Sequence, residues 1–214
     1  MTPAPDLFAE IADERLAFAD MFETLTDEQL ATRSLCGGWM VKEVGGHLIL
    51  AMATSLPKLI LTMIAKGGSF DRANDTLSRQ VAGARTGTEI AATLRERASF
   101  RFTPPGHGPT APLTDLLIHG QDVRRPLGIT REFSEFRLRT ALEFLSGPKA
   151  KLGFVSPKKV AGLRFVATDL DFAAGDGPEV RGTGEALLLA YTGRAAVLPE
   201  LTGDGAAILA GRWR

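Results

Sequence analysis

The sequence predicts an α+β protein: a helical bundle over residues 1–150, followed by a small mixed α/β domain over residues 157–214. Three observations carry that reading. Through the first two thirds of the 214 residues, apolar side chains recur every three or four positions, the period of helices that bury one face. Glycine- and proline-rich breaks, notably Gly67-Gly68 and the stretch 103–112 (TPPGHGPTAP), cut these runs into separate helices. Past Pro157 the texture changes to short apolar runs bounded by Asp/Gly turns, as strands are.

In chain order, Leu7, Ile11, Phe18, Met21 and Phe22 mark an amphipathic first helix, with Phe8 and Leu16 widening its stripe. Thr26 and Gln29 have the spacing of a capping box and start a short helix through Leu30 and Ala31. Residues 34–40 (SLCGGWM) form a sharp turn around two glycines. From Met40, a second long helix is expected to run to about Ala65, with Pro57 as a kink. Residues 69–87 are polar and read as a loose helix flanked by loops. Ile90, Leu94 and Ala98 place a helix from about Thr88 to Phe102, and Pro112–Gly128 reads as another, opened by proline and closed by Pro126 and Gly128. Phe133, Phe136, Leu138, Ala141, Leu142 and Leu145 give one more, ending at Gly147-Pro148. Leu163–Val166 and Leu170–Ala174 read as strands, Thr183–Thr192 as a helix closed by Gly193, and the tail as one more turn and short element.

Hydrophobic residues at 44% and charged residues at 23% permit a sizeable core. A net charge of zero gives nucleic acid or an acidic membrane surface nothing to hold, and neither is expected as a partner. The acidic N-terminus lacks the plan of a signal peptide. The most apolar stretch, 48–65, is interrupted by Pro57 and Lys58 and is shorter than the roughly 20 residues a membrane-spanning helix needs. One cysteine, Cys36, cannot form an internal disulfide. The expectation is a soluble cytoplasmic protein.

The chemistry-bearing residues are few. Asp115 and His119 stand four apart on one helix and project from one face about one turn from each other. Alone, such a pair is more often incidental than a metal site. His47 lies on another helix, and in a bundle facing helices can direct ligands to one point. Two imidazoles and one carboxylate give three protein ligands and an open position, the composition of catalytic zinc and equally of a non-haem iron triad. Asp122, three residues after His119, can orient its imidazole or pair with Arg124 and Arg125. Arg124 and Arg125 can grip a substrate carboxylate or simply serve the helix C-terminus. Trp39 lines a pocket or anchors its turn. Cys36 can be a nucleophile only if its thiol is activated and open, and otherwise packs as a small apolar residue. Glu43 reads as a solvated or supporting carboxylate beside His47. His107 sits in a flexible connection apart from the proposed ligands. No phosphate-binding loop or nucleophile elbow is present.

Two segments carry a family resemblance. CGGWMVKEVGGHL (residues 36–48) resembles the Cys-x-Gly-Trp…Val…His-Leu segment of the mycothiol-dependent maleylpyruvate isomerase family, one of the DinB/YfiT-like metal-binding bundles. DLLIHGQDVRRPLG (residues 115–128) resembles its second motif, Glu-Leu-x-x-His-x-x-Asp-x-Arg-Arg. The segment FVATDLDFAAGDGPEVRGTGEALLLAYTGR (residues 165–194) is similar to the family's small C-terminal domain. The resemblance implies a DinB-like up-down four-helix bundle, with His47 and His119 as metal histidines and Asp115 where the family commonly has glutamate. It implies a divalent metal, zinc foremost, and mycothiol as a thiol cofactor. The leading expectation is an isomerase or S-transferase whose partners are a small electrophile and a low-molecular-weight thiol, with a homodimer as one assembly. The alternatives are a metal-dependent hydrolase of the same fold and a non-catalytic metal or small-molecule binding protein.

Overall fold

A computed structural model describes residues 5–213. Its helices, in order, are α1 (Leu7–Glu23), α2 (Asp27–Leu30), α3 (Val41–Leu48), α4 (Leu50–Ala53), α5 (Leu56–Ala65), α6 (Phe70–Gly83), α7 (Gly87–Glu96), α8 (Thr110–Arg124), α9 (Glu135–Ser146), α10 (Pro157–Val160), α11 (Gly184–Tyr191) and α12 (Asp204–Arg212). Three strands, β1 (Arg164–Ala167), β2 (Ala173–Ala174) and β3 (Glu179–Gly182), form one sheet in the order β2-β1-β3. The α+β class and the helical N-terminal part agree with the expectation from sequence. No helix among the described residues is long and apolar enough to cross a membrane.

The chain gathers into two compact units. One comprises residues up to Phe102 together with His119–Thr130; the other comprises Thr103–Ile118 and the chain from Arg131 onward. In the first, α3 packs on α6 and α1 on α7, with α3 also touching α7. The core they enclose holds Phe18, Phe22, Trp39, Val41, Val44, Ile49, Val81, Ile90 and Leu94. Helix starts are set locally. Asp6 caps α1 by accepting from Phe8 N–H at 3.0 Å. Thr26 with Gln29 and Thr86 with Glu89 form complete capping boxes. Ser69 accepts from Arg72 N–H at 3.3 Å and opens α6. Arg15, pulled down to a pKa of about 10 by burial, donates to the carbonyls of Ala98 and Phe100 at 2.8 and 2.7 Å, tying α1 to the end of the α7 segment.

The long helix expected over 40–65 is three shorter ones. α3 stops at Leu48, and Thr54 and Ser55 are extended, so a new helix starts with Pro57 in its first turn. A first-turn proline needs no N–H partner, so here it opens a helix and does not kink one. Helix α5 buries no residue fully and exposes Leu56, Ile60, Leu61 and Ile64. The polar segment 69–87 contains a full helix, α6, which buries Ala73, Leu77, Ser78, Val81 and Ala82.

In the second unit, β1 pairs antiparallel with β2 and parallel with β3. Helix α9 packs on α11, α12 packs on β3, and Phe165 stacks on Tyr191 with ring centroids 4.0 Å apart. Burial pushes the Tyr191 phenol pKa up.

The α3–α6 contact has no spare room. A Cβ on Gly46 would lie 2.6 Å from the carbonyl of Ser78 and 2.9 Å from Ala82. Gly46→Ala is therefore expected to cost about 2 kcal/mol by overpacking, although alanine is the better helix former, and chemical denaturation of the two proteins checks this.

Candidate functional site

The turn at residues 34–40 places the first group of side chains. Gly38 takes a left-handed φ of 84°, which lets Trp39 N–H reach the carbonyl of Cys36 at 3.0 Å while Ser34 N–H reaches that of Trp39 at 2.9 Å. Leu35 N–H donates to the carbonyl of Asp122 at 3.1 Å, which fastens the turn to α8. Glu43 accepts from Met40 N–H at 2.8 Å and starts α3, so His47 follows on its last turn. Glu43 also meets Arg79 at 2.7 Å.

The imidazoles of His47 and His119 lie with ring centroids 4.7 Å apart, edge to face. The indole of Trp39 flanks both, at 5.1 Å from His47 and 6.0 Å from His119. Each imidazole is held at Nδ1. That of His119 is 2.8 Å from Oδ2 of Asp122, whose side chain is wholly buried. That of His47 is 3.2 Å from Oδ1 of Asn74, with Ser78 Oγ at 3.5 Å. With oxygen acceptors at Nδ1, the neutral tautomer carries its proton there and its lone pair on Nε2. This is how proteins set imidazoles that take a ligand at the second nitrogen.

Asp115 stands one turn before His119 on α8. His47, Asp115 and His119 each offer a ligand atom, all within 4.8 Å of one another. Cys36, His119 and Asp122 form a second such group. Two imidazoles and a carboxylate suit zinc or a related divalent ion and leave a coordination position open.

The other residues singled out in the sequence find different surroundings. Trp39 is buried, and its Nε1–H donates to Asp75 at 2.7 Å. Asp75 also receives Arg79 Nε–H at 2.9 Å. Desolvation opposes the Arg79 charge, but the bonds and fields of Asp75 and Glu43 outweigh it and raise its pKa. Arg124 is not an exposed helix end. It is 2% exposed, with its guanidinium carbon 6.0 Å from the centre of the Phe18 ring. His107 is buried in the second unit, against Phe144 and Phe154. Asn74, Asp75 and Ser78 had no place in the sequence reading. Their signal was present, because Asn74 and Ser78, like Asp75 and Arg79, stand four apart on a helix whose apolar face runs through Ala73, Leu77 and Val81.

Residues 11–101 match the family model described as the mycothiol maleylpyruvate isomerase N-terminal domain. Over that stretch the chain is similar to the family's N-terminal domain. The first motif, residues 36–48, lies inside the matched stretch, which supports the resemblance there. The fold extends further. A crystal structure of the mycothiol-dependent maleylpyruvate isomerase superposes with a TM-score of 0.52 at 16% identity, covering 93% of this chain and 95% of the other. A histidine-to-alanine variant of that isomerase gives 0.50 at 14% identity with the same coverage. No curated protein sequence matches this chain. Against the isomerase family's second motif, Asp115 is one methylene shorter than the usual glutamate, so its carboxylate reaches less far from α8.

The Asp122–His119 bond is buried, so removing its acceptor leaves a polar N–H without compensation. Asp122→Ala is expected to lower stability by about 2 kcal/mol. It should also abolish the low-field imidazole N–H resonance of His119 in proton NMR.

Proposed function

We propose that this protein is a metal-dependent, mycothiol-using enzyme of the maleylpyruvate isomerase type, acting in the cytoplasm on an electrophilic small molecule. The observation that carries the reading is the grouping of His47, Asp115 and His119, with both imidazoles held at Nδ1. The family match of residues 11–101 and the fold shared with the mycothiol-dependent isomerase support the same reading.

The donor set fits a divalent ion. Nε2 of His47, Nε2 of His119 and a carboxylate oxygen of Asp115 would hold it, zinc being the ion best matched to two imidazoles and a carboxylate in a site with an open position. A bound divalent ion would supply Lewis acidity, holding a thiol as its thiolate near neutral pH. The remaining work belongs to the chain. Asp122 fixes the His119 ring and, being anionic, makes that imidazole the stronger donor. Asn74 and Ser78 fix His47 without adding charge. Trp39, packed beside both rings and tethered to Asp75, shields that side of the site from water. A thiolate delivered there would add to a conjugated carbon–carbon double bond. Rotation about the resulting single bond and loss of the same thiolate would give the cis–trans isomer, and protonation of the adduct's enolate carbon from solvent would give an S-conjugate.

Elemental analysis of the purified protein should find a divalent metal that His47→Ala lacks; full retention by that variant sinks the proposed ligand set. Asn74→Ala should keep the fold and weaken metal affinity about 10-fold, as loss of a supporting hydrogen bond does. Calorimetric titration of the metal-loaded protein should show mycothiol binding. Absence of binding, with hydrolysis proceeding without thiol, would replace the thiol reading with a hydrolase.

A further inference from the structure

Of the second donor group, His119 and Asp122 already serve that reading, but Cys36 has no part in it. Its ligand atoms on Cys36, His119 and Asp122 lie within 4.8 Å of one another. Sulfur, nitrogen and oxygen donors together suit a thiophilic divalent cation. We propose that Cys36, His119 and Asp122 form a second metal site, selective for thiophilic cations such as cadmium or excess zinc, which shares His119 with the first set.

The backbone around Cys36 is built to hold the sulfur in place. Ser34 Oγ accepts from Cys36 N–H and lies 3.2 Å from both the nitrogen and the carbonyl oxygen of that residue. Trp39 N–H closes the turn onto the Cys36 carbonyl, and Leu35 N–H anchors the preceding residue to the carbonyl of Asp122. The sulfur is thereby tied to the helix that carries the other two donors. The wall and the mouth of the site differ. Asp122 is 0% and His119 8% exposed, whereas Cys36 is only half-buried and gives an ion a path from solvent. A buried carboxylate is costly unless a cation or hydrogen bond compensates it, and here a proton shared with His119 does so. A cation bound by Cys36, Nδ1 of His119 and Asp122 would take that proton's place, the imidazole proton moving to Nε2 and the thiol proton being released to solvent.

The sharing of His119 has a consequence for the first set. An ion drawing on His119 and Asp122 removes the bond that orients the ring, so the two centres compete for one imidazole. The protein would then be inhibited by thiophilic cations through an ordered site and not by general thiol capture.

Ultraviolet titration with cadmium tests this. The wild type and His47→Ala should both develop a thiolate-to-cadmium charge-transfer band saturating near one equivalent. In His119→Ala and Asp122→Asn the same band should need at least tenfold more cadmium, with folding checked by circular dichroism. A band absent at stoichiometric cadmium, or one whose affinity is unchanged in both His119→Ala and Asp122→Asn, overturns the proposal and leaves Cys36 a lone thiol. Because His47→Ala removes a ligand of the first set only, failure of that set and failure of this one read out separately.

Discussion

Helix α3 can lie against α6 because residue 46 has no side chain. The contacts that α6 makes to the first imidazole depend on that approach. Asn74 and Ser78 reach His47 from α6, Asp75 holds the Trp39 indole, and Arg79 bridges Asp75 and Glu43. The residue after Gly46 is His47 itself, so the point of closest helix packing and the point of chemistry adjoin along the chain. A bundle that packed α3 on α6 through larger side chains would carry the same histidine with its supporting oxygens out of reach.

The second imidazole is treated differently. His119 faces a buried carboxylate, His47 an amide. A carboxylate partner orients an imidazole with a full charge and an amide with a dipole, so the two rings are alike in geometry but differ in the charge of their partner. Asp122 also receives, through its backbone carbonyl, the N–H of Leu35. One residue therefore fixes a ring with its side chain and the cysteine turn with its main chain.

Much of this was readable from residue order. Apolar spacing located α1, α7 and α9, proline and glycine signals located α8 and α11, and the His47 and His119 motifs named two rings that the fold brings together. What escaped reading has a common physical cause. Leu48, Leu50 and Leu56 all fit a helical stripe, and nothing in their spacing reveals that Thr54 and Ser55 are extended, so one helix was expected where there are three. Pro57 has the same covalent constraint whether it opens a helix or bends one. Asn74 and Ser78 sit in a polar stretch whose value lies in contacts 27 and 31 residues away, and periodicity carries no information about such distances. Arg124 looked like an ordinary helix-end cation, and only packing against Phe18 shows it to be interior.

Helix α8 illustrates how burial restricts a sequence. Between Ala111 and Arg124 every residue except Pro112 and Asp115 is buried, and the space that a Cβ on Gly120 would fill is taken by the Arg124 guanidinium.

 A helix with so little surface has almost no neutral positions: a substitution along it must satisfy the neighbours' shape as well as any ligand. Tolerance to mutation is thereby pushed outward, to faces such as that of α5, whose Leu56, Ile60, Leu61 and Ile64 support no core. Another chain shares this fold at 16% identity, so most of the aligned positions hold different residues while the architecture stays the same.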